Sequence, residues 1–158
     1  MDWKSLFLSY KGRLTRTYWW IGILILGVAE AVLLFLALRA AGFPLAALLD
    51  PTPKTLIIEM LVMVVLLRPN LSLLIKRLHD RSRTGWWAFV LYGIIFLLSV
   101  MDAYGLDGTE GEPNLLFFLV AAPSMLVIVW LLIELGFLRG VRGTNKYGPD
   151  PLEDASPR

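Results

Sequence analysis

Residues 18–38 read YWWIGILILGVAEAVLLFLAL, an apolar stretch interrupted by a single charged residue, Glu30. A bilayer core about 30 Å thick requires roughly 20 helical residues, each rising about 1.5 Å. This stretch is long enough, and three further apolar stretches follow at about residues 56–75, 86–104 and 115–138. The sequence therefore predicts an all-α membrane protein, a bundle of four transmembrane helices.

The composition favours a membrane protein over a soluble one. Hydrophobic residues make up 57% of the 158 residues and charged residues 18%, whereas a soluble domain carries about 25% charged residues. We expect one membrane domain over residues 1–158, ending in a short, irregular tail at 139–158 that is rich in glycine and proline. The chain contains no cysteine, which excludes disulfides and thiolate metal sites.

The basic residues are unevenly divided between the two ends of the predicted helices. Only Arg39 and Lys54 fall on one side, together with Asp50, Asp102, Asp107, Glu110 and Glu112. Twelve of the 15 basic residues fall on the other: Lys4, Lys11, Arg13, Arg16, Lys76, Arg77, Arg81, Arg83, Arg139, Arg142, Lys146 and Arg158. Cytoplasmic segments carry such an excess, so we expect both termini in the cytoplasm.

Several polar side chains interrupt the apolar stretches: Glu30, Glu59, Arg68, Asn70 and Glu134. A charge at the centre of a membrane helix costs about 2.5–3.5 kcal/mol and usually pairs inside the bundle. Arg68 lies between Glu30 and Glu134 in depth, so we predict that it pairs with one of them. One functional interpretation makes Glu30, Arg68 and Glu134 an ion or proton path in a small transporter or channel; the other makes them a structural ion pair.

Three polar motifs fall on the predicted cytoplasmic side. They are GRLTRTYW at 12–19, KRLHDRSRTGWW at 76–87 and GTNKYGPDP at 143–151. In this order they resemble the DUF805 family of small bacterial inner-membrane proteins over nearly the whole chain. The matching positions are Gly12, Arg13, Arg16, Tyr18, Trp19, Arg77, Leu78, His79, Asp80, Gly85, Trp86, Asn145, Gly148, Asp150 and Pro151.

The resemblance implies a multi-pass protein of the bacterial inner (plasma) membrane with about four spans and no established biochemical activity. The chain departs from the family pattern in its acidic third loop and at Arg68 and Glu134. A role for these two residues would therefore belong to a subgroup of the family.

The predicted cytoplasmic face supplies the candidate binding residues, which are Arg13, Arg16, Arg77, His79, Asp80, Arg83, Trp86, Asn145 and Asp150. In a structural interpretation Asp80 pairs with Arg77 or Arg83, and His79 caps the second span. In a binding interpretation the arginines form a basic rim for an anionic phospholipid.

A catalytic interpretation uses His79 and Asp80 as a general base, but no nucleophile accompanies them. We assign no catalytic residue, metal ligand or cofactor. We favour a non-enzymatic protein that binds anionic lipid, a protein partner or a second copy of itself, and we expect no nucleic-acid binding.

Overall fold

The computed structural model describes residues 2–48, 52–106 and 114–153. This part of the chain is helical and contains no strand. A 3₁₀ turn at Leu45–Leu48 follows the second helix, and a π-helical turn at Ile133–Phe137 continues the last one. The α-helices are α1 (Trp3–Leu8), α2 (Arg16–Ala40), α3 (Pro53–Asp80), α4 (Trp86–Ala103) and α5 (Leu115–Leu132).

Four of these helices are long and apolar enough to cross a membrane: α2, α3, α4 and α5 with its π-helical turn. The four predicted transmembrane helices are thus confirmed. The acidic residues Asp50, Asp107, Glu110 and Glu112, and the tail beyond residue 153, lie outside the described residues.

α3 is longer than the sequence predicted, and side chains support its start. It begins at Pro53, where Thr52 and Thr55 form a reciprocal capping box and proline occupies the first turn. At its other end it includes residues 76–80, which the sequence assigned to a loop. The helix continues through Pro69, and the Asn70 side chain donates to the carbonyl of Leu66 in the preceding turn at 3.1 Å.

α1 was not predicted. It is only six residues long, and the carboxylate of Asp2 caps it by accepting from the N–H groups of Lys4 and Ser5. The side chain of Leu6 is 2% exposed and belongs to the hydrophobic core. A helix this short, with one buried side chain, has too few apolar residues to be recognised in the sequence beside apolar runs of about 20 residues.

The chain is packed most tightly at one end of the bundle. The N-terminal segment, the α3–α4 loop and the tail meet there, and we call it the polar end. α2 and α3 approach closely, since a Cβ on Gly22 would lie 2.6 Å from a methyl carbon of Leu73. Elsewhere the helices present apolar side chains outward, such as Leu24 and Leu126, which are 70% and 73% exposed. A lipid-facing helix has this pattern.

Candidate functional site

The centre of the polar end is a buried carboxylate held by two guanidinium groups. Asp80, the last residue of α3, is 3% exposed. Its Oδ1 accepts from Arg13 Nε at 3.0 Å, and its Oδ2 pairs with Arg77, one turn earlier on the same helix. Buried charges persist when they are paired and hydrogen-bonded. The predicted pairing of Asp80 with Arg77 is confirmed, and Arg13 is an additional partner.

The rest of the donors on these arginines go to backbone carbonyls. The last carbonyls of a helix have no partner within it, and here residues 135–139, at the end of α5 and its π-helical turn, each accept from a side chain. Arg77 supplies two of these hydrogen bonds, to Leu135 at 2.6 Å and to Leu138 at 2.5 Å. The others come from Trp20 to Gly136, from Arg16 to Phe137 and from Arg81 to Arg139.

The tail is irregular, yet it is fixed to the same cluster. Arg13 donates to the carbonyl of Gly143 at 2.6 Å and to that of Val141. Asn145 donates to the carbonyl of His79 at 3.0 Å. The His79 ring stacks on Tyr147, with ring centroids 3.7 Å apart and planes 5° apart. The motifs at residues 12–19, 76–87 and 143–151 therefore form one three-part contact.

Asp150 and the glycines complete this contact. Asp150 is 7% exposed, and its carboxylate accepts from the N–H of Gly143 at 3.2 Å. Gly140 passes so close to the central carboxylate that a Cβ there would lie 2.1 Å from Asp80 Oδ2. Only glycine fits at that position, because two guanidinium groups hold Asp80 in place.

Glu134 forms a second ionic centre in the π-helical turn. Its Oε1 accepts from Arg81 Nε and from Arg83 Nε, each at 3.2 Å, and the residue is 5% exposed. Arg83 also lies over the ring of Trp130, 5.8 Å from its centroid. Arg83 is thus bound to Glu134, and the alternative in which it pairs with Asp80 is wrong.

The predicted pairing of Arg68 with Glu30 or Glu134 is also wrong. Arg68 is exposed and donates to the carbonyl of Leu8, at 3.4 Å, because its face of α3 is turned toward α1. Glu30 is exposed too and lines a separate cavity of about 200 Å³ with Glu59 and Tyr92. The residues suggested as an ion path are therefore not brought together.

His79 does not act as a helix cap. The turn that ends α3 is closed by the N–H of Arg81, which donates to backbone carbonyls. The His79 Nδ1 lies 3.3 Å from the carbonyl oxygen of Gly12. Among the described residues the His79 ring and the Asp80 carboxylate share no hydrogen bond, so the orienting pair of the catalytic interpretation is not formed. Trp86 is 72% exposed, and its ring contacts the ring of Phe89.

A cavity of about 310 Å³ opens beside the Arg13–Asp80–Arg77 cluster. It lies between the start of α2 and the tail, and its lining consists of Thr15, Arg16, Thr17, Arg77, Asp80, Arg139, Gly140 and Leu152. Arg16 and Arg139 are exposed at its edge. Neither forms an ion pair within the described residues, whose ion pairs involve Asp80 and Glu134. Both therefore keep their charge available to an anion.

Three residues of this lining were predicted from the sequence as binding residues, namely Arg16, Arg77 and Asp80, whereas Arg139 and the threonines were not. Arg139 follows the last span directly, and in the sequence it is one of several basic residues near a membrane helix end. Its place in the cavity depends on the π-helical turn, which the sequence does not reveal. The described residues hold no cluster of His, Cys, Asp and Glu suited to a metal ion.

The chain is similar to two proteins of Escherichia coli (strain K12). It is 34% identical over 150 residues to "Uncharacterized protein YiiR", covering 90% of this chain and 85% of that protein. It is 26% identical over 145 residues to "Inner membrane protein YhaI", covering 92% of this chain and 87% of that protein. No solved structure matches it. The family model described as "Protein of unknown function (DUF805)" matches residues 7–149, and the chain therefore belongs to the DUF805 family.

Proposed function

We propose that this membrane protein binds the headgroup of an anionic phospholipid in the cavity at its polar end. The observation that carries the proposal is the pair Arg16 and Arg139, which both line the cavity and have no acidic partner among the described residues. Asp80 at the base of the cavity is already compensated by Arg13 and Arg77. An entering anion therefore meets guanidinium groups rather than a free carboxylate.

Phosphate is the anion that best suits this lining. Arginine presents a planar fork of N–H donors that matches phosphate oxygens. The hydroxyl of Thr17 adds a donor at the rim. The cavity volume of about 310 Å³ is at the small end of ligand pockets, which span about 300–1,000 Å³, and suits a headgroup rather than a whole lipid.

The position of the cavity favours a lipid over a free phosphate compound. Arg16 is the first residue of α2, a helix long enough to cross a membrane, and we therefore expect the cavity to open at the level of the headgroups. Tyr18 and Trp20 follow it and are 44% and 41% exposed. Aromatic rings of this kind prefer the membrane interface, and basic pockets between spans suit anionic headgroups.

We propose further that the polar end faces the cytoplasm of a bacterium and that the bilayer is the inner membrane. The name of one relative, "Inner membrane protein YhaI", supports the location. The concentration of basic residues at the polar end supports the orientation. The headgroup would then come from the cytoplasmic leaflet.

Native mass spectrometry of the protein released from nanodiscs tests the lipid site. The nanodiscs hold phosphatidylethanolamine with a minor fraction of phosphatidylglycerol. We expect wild-type protein to retain phosphatidylglycerol, and the double variant Arg16→Gln with Arg139→Gln to lose it. Each arginine contributes about 1 kcal/mol near an anionic surface, so the affinity for phosphatidylglycerol should fall by roughly 30-fold for about 2 kcal/mol.

Arg142→Gln is a control for position, because it removes a positive charge from the same end at a residue that does not line this cavity. It should retain the lipid. A second arm offers free glycerol phosphate to protein in neutral detergent, where we expect much weaker binding. Equal loss of lipid in Arg142→Gln and in the double variant would contradict the proposal, as would tighter binding of glycerol phosphate than of lipid.

A further inference from the structure

The N-terminal segment lies along α3, where three polar side chains occur within an apolar stretch. Arg68, Ser72 and Lys76 are four residues apart, so they project from one face of the helix. Ser72 and Lys76 are fully buried, at 0% and 1% exposed. The contacts of this stripe give Arg68, Ser72 and Lys76 a structural role that does not involve an ion path through the bundle.

All three side chains bind backbone carbonyls at the end of α1. Lys76 Nζ donates to the carbonyls of Ser5 and Leu6, each at 2.6 Å. Ser72 Oγ lies 2.8 Å from the carbonyl of Leu6 and 2.7 Å from that of Ser9. Arg68 reaches the carbonyl of Leu8. These are carbonyls that a short helix cannot satisfy itself.

The segment enters and returns along α3. Ser72 is one turn, about 6 Å, farther into the apolar part of α3 than Lys76, and Arg68 is about 12 Å farther. The chain is beside Ser72 at Leu6 and Ser9 and is back at Lys76 by Leu14, whose N–H donates to the Lys76 carbonyl at 3.2 Å. Non-helical backbone at membrane depth persists only where the protein satisfies its polar groups.

The outward side chains of this segment match a membrane interface. Trp3, Leu8 and Tyr10 are 58%, 47% and 41% exposed. Lys4 and Lys11, also exposed, are the sequence neighbours of Trp3 and Tyr10. The apolar and aromatic side chains continue the outer surface of α3, where Val64 and Val65 are more than 60% exposed. Basic residues beside tryptophan and leucine are typical of segments that lie in the interface.

We propose that residues 3–12 form a re-entrant anchor that inserts into the lipid of one leaflet, with the Arg68–Ser72–Lys76 stripe of α3 satisfying its backbone. The partner is the lipid itself: acyl chains against Trp3 and Leu8, and headgroups against Lys4 and Lys11. Amphipathic segments that lie at the interface bury their apolar face about 5–10 Å into the boundary between headgroups and acyl chains. The insertion does not depend on the headgroup cavity beside Arg139.

Spin-label accessibility tests the anchor, and the absence of native cysteine gives a clean background. Leu8→Cys carries a nitroxide in one sample and Lys11→Cys carries it in another, both in phosphatidylglycerol-containing vesicles. We expect the label at position 8 to be several-fold more accessible to oxygen than to a water-soluble nickel complex, and the label at position 11 to show the reverse. Equal access of the nickel complex to both labels would overturn the proposal.

A clamp variant tests the role of α3. Ser72→Ala with Lys76→Met, in the Leu8→Cys background, removes the buried donors, and we expect the label to become more mobile. If that variant does not accumulate, Arg68→Met in the same background removes only an exposed donor and should raise mobility by a smaller amount. Unchanged mobility in the variant measured would show that the stripe does not hold the segment.

Discussion

At the residue scale, the carboxylate of Asp80 sets the arrangement of the polar end. The carboxylate pairs with Arg13 of the N-terminal segment and with Arg77 of α3. The backbone carbonyl of Asp80 accepts from the N–H of Val141 in the tail at 2.9 Å. One residue, through its side chain and its backbone carbonyl, therefore joins parts of the chain that are far apart in sequence. Removing the charge leaves two buried guanidinium groups without their counter-ion.

We accordingly expect Asp80→Asn to destabilise the protein strongly. Breaking a buried ion pair by removing one partner costs about 3–5 kcal/mol. Chemical unfolding in detergent micelles, followed by tryptophan fluorescence, measures the change. Glu153→Gln is the control, since Glu153 is exposed and a surface change of this kind alters stability by about 0.5 kcal/mol or less. Similar free energies of unfolding for the two variants would rule out the central role of Asp80.

Gly140→Ala tests the close approach of the tail to the same carboxylate. The added methyl group would overlap Asp80, so either the tail or the two arginines must move. We expect a loss of stability and faster proteolysis of the tail. Gly93→Ala in α4 is the matched control, because a Cβ there meets no atom within 4 Å. Indistinguishable proteolysis of the two variants would contradict the observed packing.

At the element scale, the carbonyls of residues 135–139 at the end of α5 accept hydrogen bonds from side chains of other parts of the chain. The π-helical turn widens the helix at Glu134 and turns successive carbonyls toward arginine and tryptophan donors. π-helical turns often occur at functional sites, and this one positions Arg139 at the cavity beside Asp80. The three spans α2, α3 and α5 are held together at this end by the same donors.

Glu134→Gln should weaken this end less than Asp80→Asn does. Glu134 pairs with Arg81 and Arg83, whose side chains are 20% and 50% exposed, so solvent screens both pairs. We expect a loss of about 1–2 kcal/mol. Two fully buried hydrogen bonds to a charged group would contribute more, since each is worth about 1.5–3 kcal/mol. The same unfolding assay compares the two variants directly. A larger loss for Glu134→Gln would reverse the proposed order of the two ionic centres.

At the scale of the whole molecule, the sequence predicted the spans but not the way their polar ends interlock. Four apolar runs of about 20 residues decide the fold through hydrophobicity alone. Contacts such as Arg13 with the carbonyl of Gly143 depend on irregular backbone in the tail, which has no periodic signal. The Arg68 prediction failed for a related reason. The prediction considered only the depth of Arg68 in the membrane. The partner of Arg68 is decided instead by the direction in which its side chain leaves α3, which is toward α1, a helix that was not predicted.

The orientation of the molecule can be tested with single cysteines. Thr144→Cys places an exposed thiol in the tail, and Lys54→Cys places one at the other end of the bundle. If the polar end faces the cytoplasm, a membrane-impermeant maleimide should label Lys54→Cys in spheroplasts and should label Thr144→Cys only after the membrane is permeabilised. Labelling of Thr144→Cys in intact spheroplasts would place the polar end outside.

We expect a lipid phosphate to lie between Arg16 and Arg139. Solid-state NMR in phosphatidylglycerol-containing bilayers tests it by dipolar dephasing between lipid ³¹P and arginine guanidinium ¹³C. We predict clear dephasing in wild-type protein, a comparable signal in Arg142→Gln and a marked loss in Arg16→Gln with Arg139→Gln. Dephasing that survives unchanged in the double variant would show that the bound phosphate lies elsewhere.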